Sequence, residues 1–522
     1  MNLKNNSQEV KEQVTGNSFW NVINSAINRF GSLILIVLLS RILMPEGFGE
    51  YSLAMTISLF FITFSDLGIN QTLIRYVSLG IDKKNNDSAS YFRYLFKIKL
   101  FVTLLLSGIL FIIAYPLSIF VFKDQNLFIL LIILSFYVFI ISLSGFFESL
   151  FFIKKNVKYI SVKELILLFL KIGAILWVGN FASQGYKLSW IFSLFVIFSI
   201  LTLFFVFYVS KHSYRKLFKK TKSSVDKKGV KKFILSLNLQ NIALMVLFQA
   251  TIILLGIFLP TEFVGFYNSS LVIVLSLANL FFFSSVFLPI LTPMKEKKFK
   301  SFIEKTFRLF FTILLPISFG LSILSKFFIL TIYGENYLPA ATSLSILAFL
   351  IPCMVGIDLS LASFSARGKQ KKFSILMAVS IPIFLLLNYL FIKIFITSSN
   401  ASVLTGVSIA NLIVWTFCFL TSIWLLKKEL KVKAISSWIL KPLLSCGLMS
   451  ICIWLLLKIF GKMDIFKGII LIILGAGIYF ISLVLTNGIK KEEIKWVFLQ
   501  WKNRNINKYK PSEYEKESSI ER

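Results

Sequence analysis

Residues 127–152, LFILLIILSFYVFIISLSGFFESLFF, hold a single charged side chain, Glu148, and are followed at once by Ile153, Lys154 and Lys155. A run this long and this apolar crosses about 30 Å of hydrocarbon as a helix, because only a helix satisfies its own backbone polar groups in lipid. The connection before it, residues 123–126, is nearly neutral; the one after it is basic. That contrast, repeated from one end of the chain to the other, decides how the whole is read.

Working outward, apolar spans fall at 19–43, 48–69, 92–121, 127–152, 157–181, 188–210, 233–259, 264–291, 301–332, 339–364, 373–396, 402–426, 437–458 and 465–487. Basic residues gather in every second gap: Lys83 and Lys84, Lys154 and Lys155, the run 211–232, Lys297 and Lys298, Arg367 and Lys369, Lys427 and Lys428. The intervening connections 44–47, 123–126, 260–263 and 334–338 are short and close to neutral. Lys and Arg hold the cytoplasmic side of membrane proteins. The expectation is therefore about fourteen transmembrane helices in a cytoplasmic or inner cell membrane, with both termini cytoplasmic. The first run is too long for a signal-peptide core and reads as a mature helix.

Composition agrees. Of 522 residues 57% are hydrophobic and only 15% charged, too little polar surface for a soluble chain of this size. A net charge of +32 suggests nucleic acid, but the charges sit at helix ends, where they read as topology and contact with anionic lipid headgroups. Nucleic acid is not expected as a partner. The four cysteines lie inside apolar spans and the one histidine, His212, in a basic loop, so neither a disulfide framework, a metal site nor a cofactor is expected.

The chain also repeats itself. Pro45-Glu46-Gly47-Phe48-Gly49-Glu50-Tyr51 precedes the second span, and Pro260-Thr261-Glu262-Phe263-Val264-Gly265-Phe266-Tyr267 precedes the eighth. Lys155, Lys158 and Tyr159 match Lys369, Lys372 and Phe373. Gly49 and Gly265 are 216 residues apart, and the paired lysines 214. The expected organisation is a cytoplasmic segment 1–18, a first six-helix bundle 19–210, a basic linker 211–232, a second six-helix bundle 233–426, two further helices 427–487 and a cytoplasmic tail 488–522. Six spans per half give two pseudo-symmetric bundles in the same orientation, an arrangement of alternating-access transporters.

Two kinds of residue are candidates for chemistry. Asn17, Asn21, Asn24, Asn28 and Ser32 line one face of the first span beside Arg29, and Asn238, Gln240, Asn241 and Gln249 open the seventh. Equivalent places in the repeat suit two polar faces of one cavity; amides that glue neighbouring helices together are the alternative. Thr56, Thr63, Ser269 and Ser276 read as packing. Charges at membrane depth are costly and informative: Arg29, Asp66, Glu148, Glu164, Lys171, Arg308 and Asp358. Arg29 and Lys171 could meet a phosphate-bearing substrate. Asp66, Glu148 and Asp358 either pair with cytoplasmic cations or take part in ion coupling or gating.

The run Ser40-Arg41-Ile42-Leu43-Met44-Pro45-Glu46-Gly47-Phe48-Gly49-Glu50-Tyr51, then Asp66-Leu67-Gly68-Ile69, resembles the polysaccharide biosynthesis flippases, O-antigen transporters included, of the multidrug/oligosaccharidyl-lipid/polysaccharide exporter superfamily. Gly265-Phe266-Tyr267-Asn268 and Pro289-Ile290-Leu291-Thr292-Pro293 look like the same family. The resemblance implies an all-α, MATE-like fold with a central cleft. It further implies a polyprenyl-pyrophosphate-linked oligosaccharide as cargo, drawn from the cytoplasmic to the outer leaflet and held by cleft cations. Arg29 is the best positional match; Asn21, Asn24, Asn28, Asn241, Gln249 and Lys171 complete the expected site. Coupling to H+ or Na+ and a polysaccharide polymerase partner are expectations of the same origin. The alternative is a cation-coupled exporter of drugs or small metabolites on the same fold. A membrane glycosyltransferase or polymerase fits poorly, because the outer connections are too short to display catalytic groups.

Overall fold

The computed structural model describes residues 31–82, 87–153, 158–218, 225–460, 464–486 and 488. It is all-helical there: α1 Ser32–Asp66, α2 Ile69–Asp82, α3 Asp87–Pro116, α4 Asn126–Ile153, α5 Lys158–Phe181, α6 Lys187–Ser213, α7 Lys227–Phe258, α8 Thr261–Asn279, α9 Ser284–Leu291, α10 Glu296–Ile323, α11 Ser325–Ile332, α12 Ala340–Leu347, α13 Leu350–Ala366, α14 Gln370–Ile396, α15 Asn400–Leu430, α16 Leu440–Phe460 and α17 Ile465–Leu485. Outward-facing side chains such as Ile112, Phe181 and Phe466 are 75%, 75% and 81% exposed. Groups that water would drive inward are left on the surface because the surrounding solvent is lipid. This is a multi-pass membrane protein.

Each of the fourteen expected spans coincides with helix, the first from Ser32 onward. By length and apolar composition alone, ten helical stretches among the described residues can cross a membrane. Counting α12 and α13, bent by 42°, as one span makes eleven. The stricter count differs from fourteen at three places. Two spans run together in α1, broken only at Met44. α5, which carries Lys158, Lys163, Glu164 and Lys171, is not among the ten, and in α7 only Ile242–Phe258 enters the comparison, since most side chains just before it lie outside the described ones.

The break in α1 has a local cause. Pro45 lacks a backbone N–H and its ring fixes φ, so it starts a helix well and continues one poorly. Met44 before it takes φ 60°, ψ 174°, strained for a side chain with a Cβ. At the far end of α1, Leu67 and Gly68 both take left-handed φ, 39° and 73°, which separates α1 from α2. The α1 segment between these breaks, residues 45–66, packs against α8, α4 and α7. It therefore stands where the two halves of the repeat meet.

A polar crevice between α1 and α7

The four neutral connections converge at one end of the molecule. Arg41 Nε and Nη2 donate to the carbonyl oxygens of Ile332 and Thr331 at 2.8 and 2.7 Å. Tyr337 Oη donates to Ser40 O at 2.8 Å, and Asn126 Nδ2 donates to Glu50 Oε1 at 3.0 Å. Here α1 and α8 touch backbone to backbone. A Cβ on Gly49 would overlap Thr261 O, and one on Gly265 would overlap Pro45 O. Glycine is required at both because nothing else leaves room.

Three residues along, Asn268 Nδ2 donates to Ser52 Oγ at 2.7 Å across a sequence separation of 216. That is also the separation of Gly49 from Gly265. A residue that touches its own repeat mate sits on the axis relating the two halves. The neutral end is thus sealed on that axis.

Away from the seal, α1 and α7 run side by side and then part. Leu53 fills the space that a Cβ on Gly256 would need. Gln249 Oε1 accepts from Thr56 Oγ1 at 3.2 Å. Beyond it, toward the basic end, α1, α2, α3 and α4, with Ile242 of α7, line a cavity of about 330 Å³ whose walls include Thr63, Asp66, Asn70, Lys99 and Ser142. Asp66 and Lys99 are its charged groups. Lys99 Nζ lies 3.8 Å from Asp66 Oδ1 and donates to Ser65 O at 3.0 Å. The lysine side chain is 1% exposed and the aspartate 34%. Asp66 Oδ1 also accepts from the Asn70 amide at 3.1 Å, tying the cavity to the start of α2.

The other sequence candidates go to different places. Arg29, Asn21, Asn24 and Asn28 lie outside the described residues, as does the side chain of Asn241, which precedes the cavity residue Ile242. Lys171 faces into the first half, its Nζ 4.9 Å from the Phe195 ring centre and 5.8 Å from that of Tyr137. Aromatic faces stabilise an ammonium without neutralising it. Glu148 accepts from Ser144 Oγ at 2.6 Å and from Lys163 Nζ at 3.0 Å, and Lys163 also pairs with Glu164 at 2.6 Å. Asp358 Oδ2 accepts from the amides of Phe283 and Ser284, both at 3.1 Å, capping the turn between α8 and α9. Arg308 Nη2 donates to Gly488 O at 3.0 Å.

Sequence reasoning passed over Lys99 and Lys163; of the two threonines it read as packing, Thr56 is buried between α1 and α7 against Gln249, and Thr63 lines the cavity. Lys99 had a signal, a cation seven residues inside the third span, but it merged with the neighbouring basic connection. His212, expected in a loop, lies in the last turn of α6.

The cavity is thus bounded by four helices of the first half and, from the second, by Ile242 of α7, in a helical membrane protein whose neutral end is packed shut. The polysaccharide biosynthesis protein family model matches residues 38–342, and the chain belongs to that family. Its fold is similar to a structure titled lipid II flippase MurJ, inward closed conformation, at a TM-score of 0.69 and 16% identity, covering 90% of this chain and 98% of that one. It is also similar to an inward-facing multidrug resistance MATE family transporter of the MOP superfamily, at 0.59 and 15%, covering 79% and 99%. An outward-facing structure of a MATE family transporter matches at 0.52 and 16%, covering 81% and 96%. No curated protein matches the sequence.

Proposed function

We propose that this protein is a flippase that moves a polyprenyl-pyrophosphate-linked oligosaccharide, a polysaccharide precursor, from the cytoplasmic to the outer leaflet by alternating access. The observation that carries the reading is the contrast between the two ends of α1, packed backbone to backbone on α8 at the neutral end and bordering a polar cavity toward the basic end. The positive-inside bias puts the basic end, and both termini, in the cytoplasm, where such precursors are loaded. The six-span halves 19–210 and 233–426 rock about the glycine contact, the linker 211–232 joins them on the cytoplasmic side, and spans 427–487 are an appendage.

Within that scheme Arg29 and Lys171 supply positive charge for the pyrophosphate, and Asn21, Asn24, Asn28, Asn241 and Gln249 supply amides. Glu148 and Asp358 are occupied by local partners, so Asp66 is the carboxylate left to the crevice and to any coupled H+ or Na+. Lys99 beside Asp66 disfavours a cationic drug there, which weighs against the multidrug reading. A polysaccharide polymerase is the natural consumer of the product.

Proteoliposome transport of a labelled lipid-linked oligosaccharide tests the proposal. The wild type is expected to move it, with Arg29→Ala and Lys171→Ala each slowing transport about tenfold or more, the loss of one charge-assisted contact. Full activity in both variants would remove the cationic contact from the account; an inert wild type would remove the flippase.

A further inference from the structure

We infer that the basic-end cavity between α1, α2, α3, α4 and α7 is a subsite for a single neutral sugar ring of the transported headgroup, held by Asp66, Asn70 and Lys99. The inference rests on the flippase reading and specifies which part of the cargo this cavity takes.

The donor set selects the ligand class. A bare cation at Asp66 would sit beside the Lys99 ammonium, which lies 3.8 Å from the carboxylate and is shut off from screening water. A phosphate drawn by Lys99 would be repelled by the Asp66 carboxylate paired with that same ammonium. A polyhydroxylated neutral ring avoids both conflicts, because each hydroxyl both donates and accepts. Vicinal hydroxyls can donate to the Asp66 carboxylate, which is one-third exposed, and accept from Lys99, whose Nζ has protons beyond the one given to Ser65 O.

Two further features fit. Asn70 Oδ1 is buried with no hydrogen-bond partner, an arrangement that is destabilising if nothing answers it. The Asn70 side chain lines the cavity, so a small turn of its amide brings an acceptor to a bound hydroxyl. Ile62, Leu67, Ile141 and Ile242 give the apolar walls against which the C–H faces of a pyranose pack. A volume of about 330 Å³ stands at the low end of the ~300–1,000 Å³ of ligand pockets, room for one ring rather than a chain.

Gly145 allows a variant that leaves the fold intact. It lines the cavity, and a Cβ there would meet Asn70 Nδ2 at 3.5 Å, ordinary contact. Gly145→Ala therefore narrows the subsite inside a helix that prefers alanine.

The experiment measures binding of purified protein to polyprenyl pyrophosphate alone and to the same carrier bearing one glucose, galactose or N-acetylglucosamine. The wild type is expected to prefer at least one sugar-bearing carrier by about tenfold, the scale of one or two hydrogen bonds to hydroxyls. Gly145→Ala and Asp66→Asn are expected to abolish that preference, and Asp66→Asn keeps an acceptor for the Asn70 amide. A wild type that binds all the carriers equally, or variants that keep the preference, would overturn the subsite while leaving the flippase standing. A wild type that binds none of them would overturn both.

Discussion

Asp66 and Lys99 share one interaction but not one environment, and the difference has a measurable consequence. Removing the carboxylate with Asp66→Ala strands an ammonium that is 1% exposed, at a cost of about 3 kcal/mol. Removing the amine with Lys99→Met strands a carboxylate that water still reaches, and costs less. Thermal denaturation in detergent is expected to rank Asp66→Ala below Lys99→Met, with the double variant less damaged than the sum of the singles. Strict additivity would show that the two side chains do not interact. At this scale the sequence was partly legible. Asp66 stood out because an acid in an apolar run is rare, and Gln249 because amides recurred on one face. Lys99 did not stand out, since a lysine near a helix end has the same local signature whether it reaches for headgroups or turns inward to an aspartate 33 residues away. Only packing separates the two.

The element that matters most is the α1 segment from Pro45 to Asp66. Its contact with α8 depends on glycine at two positions. Gly49→Ala and Gly265→Ala are each expected to force the neutral end apart, detected as new labelling of Ser52→Cys by a membrane-impermeant thiol reagent from outside. Unchanged protection would place the seal elsewhere. The Ser52–Asn268 bond contributes less: Asn268→Ala is expected to shift the sealed-to-open balance by about 1 kcal/mol, roughly fivefold. The connection before α4 adds a pH dependence. Burial pushes the Asp124 carboxyl above its ordinary value, with the Glu46 charge acting the same way. Opening that hydrates Asp124 lowers its pKa and releases a proton, so the sealed state is favoured as pH falls through the raised value and loses that advantage as pH rises above it. The same thiol labelling, followed from acid to neutral pH, should increase, and Asp124→Asn should flatten the profile. Helices were the most legible elements because hydrocarbon leaves the backbone no alternative. The break at Met44 was foreshadowed by Pro45. The left-handed Leu67 was not, since nothing in its side chain favours that conformation.

Across the whole molecule, alternating basic and neutral connections predicted two ends of different character, and the described residues divide that way. Residues 40–50, 126, 261–268 and 331–337 meet at the neutral end, and Asp66, Lys99, Glu148 and Lys163 lie toward the basic one. The repeat was read from the matching segments around Gly49 and Gly265 and from the paired lysines 214 residues apart. That these glycines touch each other was not, because sequence offset carries no information about which repeat mates lie near the axis. Lys171 shows the opposite limit: its place inside an apolar run was legible, but its aromatic neighbours Tyr137 and Phe195 come from two other helices.

For cargo to leave, the neutral end must open. In a background freed of Cys353, Cys418, Cys446 and Cys452, cysteines at Ser52 and Asn268 can be joined by a disulfide or a short thiol cross-linker, and transport of lipid-linked oligosaccharide measured before and after reduction. The cross-linked protein is expected to bind cargo but not to deliver it, and reduction is expected to restore delivery. Full transport through the quantitatively cross-linked protein would contradict it.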